Sequence, residues 1–386
     1  MPPAQLLLSH LRQKQEEMVD FLRRLVLAES PSLDPASQGP VFALLEEGLA
    51  AAGYRAWRLA GRASGGQLFA APARRARRAR GRRAQLLVGH SDTVWAAGTL
   101  ARIPVTLANG RLTGPGVYDM KGGLTQALFA LRALAELGLE PPATPLLFVN
   151  SDEEIGSGDS TRTLRRLARH ACRVFVLEPS LGPEGKLKTR RKGVGRFAVT
   201  VHGRAAHAGL EPEKGASAIL ELAHVVVRLH ALSDPARGIS VNVGLMTGGV
   251  RGNVVAPEAR AEVDVRVPSL AEGEAVERAI RAVRPITPGT WIEVGGAVDR
   301  PPLEPTAGNQ ALFATARRAA AALGIDLGEG AAGGASDGNT TSLLAPTLDG
   351  LGAVGEGAHA DHEAVWVDRL PERAALLALL LLAPVE

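Results

Sequence analysis

The sequence predicts an α/β fold in two parts: a largely parallel sheet flanked by helices, interrupted by a smaller ferredoxin-like α+β domain. Three observations carry this. Short continuous apolar runs at 85–88, 146–149 and 174–177 alternate with helical stretches at 124–137 and 160–170, the pattern of parallel strands buried on both faces. From residue 193 the rhythm changes to alternating strands and helices in β-α-β-β-α-β order, a split unit with two helices on one face of its sheet. Helices at 311–323 and 369–382 then resume the first pattern, so the second is inserted within it.

In chain order, 5–27 has apolar residues at helical spacing and reads as an amphipathic helix. A second helix at 40–52 is closed by Gly53. The three apolar runs follow, with their intervening helices. In the insert, strands are expected at 195–201, 239–246, 260–267 and 290–294, and helices at 216–232 and 272–283. The boundaries drawn are 1–191 with 301–386 for the larger, discontinuous domain and 192–300 for the insert. No internal repeat is evident.

With 386 residues, 46% hydrophobic and 22% charged, the chain is long enough for two buried cores and is not disordered. A net charge of +4 does not mark a nucleic-acid binder. Seven arginines between 74 and 83 form the one dense basic run. It lacks interleaved aromatics, so it reads as a solvated hairpin tip rather than a nucleic-acid patch. The single Cys172 excludes an intrachain disulfide and a thiolate-rich zinc cluster, and its apolar surroundings at 172–177 point to a buried, inert thiol. No segment has the apolar length to span a membrane. The apolar stretch at 6–8 is short and has no basic region before it, so no signal peptide is read and a cytoplasmic address is expected.

The chemistry-bearing residues fall just after strands. His90 and Asp92 follow the first run, Glu153 and Glu154 the second, and Glu178 the third; Asp119 and a late His359 join them. In an open α/β sheet the carboxyl ends of the strands form the ligand crevice, so these side chains converge on one edge. Imidazoles and carboxylates without thiolates suit a hydrolytic zinc centre, or cobalt or manganese in its place. Two ions about 3.5–4 Å apart need a bridging carboxylate. Asp119 is the natural bridge, between Gly114-Pro115-Gly116 and Gly122-Gly123, which let backbone approach closely.

The segments GHSDTV (89–94), GPGVYDMKGG (114–123), NSDEEIGS (150–157), LEPS (177–180), GRAAHAG (203–209) and GAHADHE (357–363) resemble the M20 family of dinuclear zinc metallopeptidases, and within it the glutamate carboxypeptidase branch. The motifs span nearly the whole chain in family order. The resemblance implies two Zn2+ per subunit, one held by His90 and Glu178, the other by Glu154 and His359, with Asp119 bridging. It places His359 rather than His362 in the ligand set. Asp92 would accept a hydrogen bond from His90 and fix its tautomer. Glu153, not committed to metal, would be the general base. The resemblance also implies a cis Asp119–Met120 peptide and a homodimer formed through the insert, whose His207 would stabilise the oxyanion in the other subunit's active site.

Asn253 and the Gly334-Ala335 loop resemble family substrate contacts, the loop through backbone N–H groups able to cradle an anion. Arg266 lies on a strand whose alternate residues Ala261, Val263, Val265 and Val267 face the core, so it points to the other face. There it could fork onto a substrate carboxylate or pair with Glu262 or Asp264. The expected activity is cleavage of an amide bond beside a carboxylate, on a small peptide or an N-acyl amino acid, with no nucleic-acid or membrane partner. A carboxypeptidase and an N-acyl-amino-acid deacylase share this chemistry. A non-catalytic binding protein would have lost the base or a ligand, and neither is missing.

Overall fold

The three apolar runs form adjacent parallel strands, Ala84–His90, Thr144–Asn150 and Ala171–Val176, with Ala84–His90 in the middle and the short Thr347–Leu348 parallel beyond the third. Alternate residues of a strand point to opposite faces. Leu87, Leu147 and Phe175 accordingly enter one core, and Leu86, Val88, Phe148, Val174 and Val176 another. The first core is closed by helices Pro3–Gln13, Gln15–Leu27, Gln38–Ala51, Gly122–Glu136, Ala307–Ala321 and Leu370–Leu382, the second by Thr161–His170. Both faces are covered, which is why 86–88, 146–149 and 174–176 are apolar without interruption.

The computed structural model describes residues 2–73 and 83–385. Two antiparallel strands, Tyr54–Leu59 and Gln67–Pro72, extend the sheet at its Thr144–Asn150 edge, giving six strands of which four are parallel. The basic run expected at a hairpin tip lies outside the described residues except for Arg83. Its flanking strands correct that expectation: Gln67–Pro72 and Ala84–His90 are not neighbours, because Thr144–Asn150 lies between them. The helix expected over 5–27 is two helices, broken at Lys14, which has φ −97° and ψ 6°. Cys172 is half-buried rather than buried, and burial pushes its thiol up. No helix among the described residues is long and apolar enough to cross a membrane.

The chain divides into two units, Met1–Thr189 with Pro305–Ala331 and Ser336–Glu386, and Arg190–Glu304 with Ala332–Ala335. The second unit holds strands Gly193–His202, Ser240–Gly248, Glu258–Val267 and Trp291–Arg300, all antiparallel, with helices Ala218–His230 and Leu270–Arg281. In spatial order the second strand of the unit is followed by the third, the first and the fourth, the ferredoxin-like arrangement. Val199, Val201, Ala261, Val263 and Val265 meet Leu222, Val225, Leu229, Val276 and Ile280 in its core.

In the first unit a small sheet of short strands, Thr106–Ala108, Arg111–Thr113, Gly355–Glu356 and Ala364–Trp366, brings two distant loops together. One carries Asp119 and the other His359.

Candidate functional site

Parallel strands deliver their carboxyl ends to one edge, and there the first unit gathers its acids and imidazoles. His90 ends its strand, Glu153 and Glu154 lie shortly after Asn150, and Glu178 lies two residues past Val176. His90 Nε2 is 3.3 Å from Asp119 Oδ1 and 3.5 Å from Glu178 Oε1. His359 Nε2 is 3.4 Å from Asp119 Oδ2 and 3.2 Å from Glu154 Oε1. The two oxygens of Asp119 thus address two different imidazoles. One face of the cluster is His90, Asp119 and Glu178; the other is Asp119, Glu154 and His359.

This geometry fits metal. Two ligand atoms at about 2.0–2.1 Å from a tetrahedral ion stand about 3.3 Å apart, close to the separations found. His90 Nε2 and Asp119 Oδ1 are buried atoms that face each other without making a hydrogen bond to any partner, although buried polar atoms ordinarily find one. Charge points the same way. Burial opposes a proton on His90, yet Asp119, Asp92 and Glu178 hold its pKa well above the usual imidazole value. Hydrogen bonding to Asp119 and Glu154 pushes His359 up to about 10. A divalent cation meets the same demand for positive charge.

Close backbone approach shapes the site. A Cβ on Gly123 would lie 2.0 Å from the carbonyl oxygen of Leu177, and one on Gly352 2.7 Å from that of Glu178. The expectation that Gly122-Gly123 permit tight packing is met in this way. The Asp119–Met120 peptide is cis, as expected. His359 has φ +62°, in the left-handed region that non-glycine residues seldom occupy.

Asp92 differs in detail from its expected role. His90 Nδ1 is 2.9 Å from the backbone carbonyl oxygen of Asp92 and 3.4 Å from its carboxylate. The carboxylate instead accepts the N–H groups of Glu153 at 3.3 Å and Glu154 at 3.2 Å, and the Ser32 hydroxyl at 2.7 Å. It aligns the glutamate pair directly. Glu153 is buried, and its carboxylate comes within 4.8 Å of ligand atoms of His90 and Glu178, whereas Glu154 stands with Asp119 and His90. Neither group contains His359 or His362; of the two, His359 is the one that stands beside Asp119 and Glu154.

Several participants were not foreseen. Lys121 is buried, donates to the Ala28 carbonyl at 2.8 Å, and is pushed down to about 7 by burial. Ser32 and Trp95 also enter the network. Glu363 sits at the end of the His359 loop and turns its carboxylate onto the Asp119 loop. Its place at the end of the GAHADHE segment, just before an apolar strand, is the sequence signal for it.

The remaining candidates lie in the second unit. His207 is exposed and its Nδ1 accepts the N–H groups of Gly209 and Leu210, both at 3.2 Å. Its ring proton is then on Nε2, pointing outward as a donor. Asn253 is its neighbour, since the Asn253 carbonyl accepts the Ala208 N–H at 3.0 Å. Arg266 does project from the face opposite the core, and there it forks onto Asp264, with Nε at 2.8 Å and Nη2 at 3.0 Å. The carbonyls of Gly334 and Ala335 accept from Arg191 Nη1 at 3.1 and 3.3 Å.

A family profile described as peptidase family M20/M25/M40 matches residues 86–383. Carboxypeptidase G2 of Pseudomonas sp. strain RS-16 is 30% identical over 311 residues, covering 78% of this chain and 74% of that protein. The aminopeptidase PepT structure from Bacillus cereus superposes with a TM-score of 0.77 at 22% identity, covering 95% and 98% of the two chains. A Bacillus subtilis protein described as a dinuclear metal-binding peptidase of the M20 family superposes with a TM-score of 0.68 at 14% identity, covering 96% and 98%. At these identities the two structures establish the likeness of fold.

Proposed function

Since the chain belongs to peptidase family M20/M25/M40 and is a metallopeptidase of carboxypeptidase type, we propose that it is a dinuclear zinc enzyme releasing a C-terminal amino acid, glutamate first among candidates. The observation that carries the dinuclear reading is Asp119, whose two carboxylate oxygens each face a separate imidazole at 3.3 and 3.4 Å. One ion would be held by His90 and Glu178, the other by Glu154 and His359, with Asp119 between them. Cobalt or manganese would satisfy the same donors. Bound ions would supply Lewis acidity, polarising the scissile carbonyl and acidifying water.

The chain's own residues do the rest. Glu153 takes a proton from the attacking water and passes it to the leaving nitrogen. Asp92 holds the Glu153 and Glu154 N–H groups, fixing where both side chains start. In the second unit, the outward Nε2–H of His207 suits donation to the oxyanion, with Asn253 beside it. Arg266 would take the substrate carboxylate, exchanging Asp264 for it, and the Gly334-Ala335 backbone would border the same substrate. The enzyme is proposed to work as a homodimer in which His207 serves the partner's site. The exposed Leu245 and Met246 on the strand Ser240–Gly248, at the edge of the second unit's sheet, and Leu220 and Val227 on the helix Ala218–His230 support a contact there.

Glu153→Ala separates base from ligand. The variant should keep its metal by elemental analysis while kcat falls by about 10^2–10^4. Loss of one ion would make Glu153 a ligand and reverse the roles of the pair. Hydrolysis of N-acyl amino acids without hydrolysis of peptides would make the enzyme a deacylase running the same reaction.

A further inference from the structure

We infer that Glu363 is a positioning residue for Asp119 and through it sets how tightly the centre holds its ions. The inference rests on the dinuclear reading of the Asp119 cluster.

Glu363 is only 1% exposed. Its Oε1 accepts the N–H groups of Tyr118 at 2.8 Å and Asp119 at 3.0 Å. Its Oε2 accepts the N–H of Gly116 at 2.9 Å and the indole Nε1–H of Trp95 at 2.9 Å. One carboxylate therefore fastens the Asp119 loop, the His359 loop and the loop after His90. Its own backbone is held as well. The Glu363 N–H donates to the Ala360 carbonyl at 2.9 Å, and the next residues pair with Arg111–Thr113. The Asp119 loop needs such an anchor, since Gly116 has φ +72° and a Cβ there would stand 2.5 Å from Thr93 Cγ2. Fixing the Asp119 N–H fixes its Cα, and so the reach of both its oxygens.

The arrangement makes Glu363→Gln a sharp probe. The change is nearly isosteric, but each oxygen already accepts two N–H donors. Whichever way the amide is turned, its NH2 faces two donors and repels them. Neither flip can rebuild the contact.

The test uses the full chain, stripped with a chelator and titrated with Co2+ against a chromophoric competitor, with the visible Co2+ absorption and the metal-free melting midpoint read alongside. Wild type should bind two ions. Glu363→Gln should bind at least one of them about 10–100-fold more weakly, with altered Co2+ absorption. A lowered metal-free midpoint with wild-type affinity and absorption would make Glu363 a plain strut and overturn the inference. If Glu363→Gln does not fold, Trp95→Phe removes one of the four donors and should weaken binding severalfold; unchanged affinity there overturns the inference equally. Wild type that takes up no second ion would instead sink the dinuclear reading, leaving Glu363 aside.

Discussion

A buried carboxylate has no water to bond to, and the acids of this site solve that problem in two different ways. Asp92 and Glu363 accept mainly backbone N–H groups, with one side-chain donor each, Ser32 and Trp95, whereas Asp119 turns its oxygens toward imidazoles. The second kind was legible in the sequence, because His90, Glu154 and Glu178 each follow a predicted strand and the glycines mark Asp119. Glu363 stands in the quoted GAHADHE segment, but its role was not legible, because three of its four donors are main-chain groups more than 240 residues away and main-chain donors leave no pattern in a sequence. Arg266 shows where two sequence readings stayed open. Residues two apart on a strand share a face, so the fork to Asp264 and the capture of a substrate carboxylate were equally written there. Steady-state kinetics with Asp264→Asn separates them. An exposed pair of this kind is worth up to about 1 kcal/mol, so freeing Arg266 should lower KM for a carboxylate substrate by at most about fivefold. A KM that does not move would leave Arg266 as sheet-surface structure.

Elements were read well where period and length were both ample, and poorly elsewhere. The helix expected at 5–27 breaks at Lys14, yet Leu7 and Leu11 stay in phase with Met18, Leu22 and Leu25, so the stripe conceals the break. The strands Arg111–Thr113 and Gly355–Glu356 are too short to show any alternation, although they help hold the loops that carry Asp119 and His359. One helix carries a feature that its amphipathic pattern argues against. Glu221, in the first turn of Ala218–His230, is fully buried. It accepts the N–H groups of Thr287 at 2.7 Å and Ile286 at 3.0 Å and the Arg228 guanidinium at 2.9 Å. Burial opposes its charge, but these donors outweigh it and hold the carboxyl below its usual value of 4.5. A depressed folded pKa gives stability that is complete above the unfolded value and fades as pH falls through the folded one. Glu221→Gln should therefore cost about 1–3 kcal/mol at neutral pH, and the gap to wild type should narrow below pH 4.5 in urea unfolding. A gap independent of pH would mean that the charge contributes nothing.

For the whole molecule, the alternation of apolar runs and the rhythm change at 193 predicted a parallel sheet and a split α+β unit, and both are present. The antiparallel edge strands Tyr54–Leu59 and Gln67–Pro72 were not anticipated in the sheet's order. The outer one is largely exposed, with Arg55, Trp57 and Arg58 giving no clear apolar face. Oligomeric state belongs to this scale too. If His207 acts across a dimer, mixing His207→Ala with Glu153→Ala creates heterodimers with one intact site each. Equal mixing to random exchange makes half the dimers hybrid, so about a quarter of wild-type activity should return. Exchange verified by mass spectrometry without any recovery would confine His207 to its own subunit.

The first unit is assembled from three separated stretches of chain, while Arg190–Glu304 supplies nearly all of the second in one piece. Synthesis runs in one direction, so the two cannot mature together. The later unit can collapse once Glu304 has cleared the ribosome tunnel. The earlier one must wait for His359 and for the helix Leu370–Leu382, which packs against Pro3–Gln13 and Gly122–Glu136. At about 5–20 residues per second that delay is on the order of ten seconds. Throughout it, the nascent chain displays Asp119 and Glu154 without His359, the imidazole that stands 3.4 and 3.2 Å from them in the finished fold.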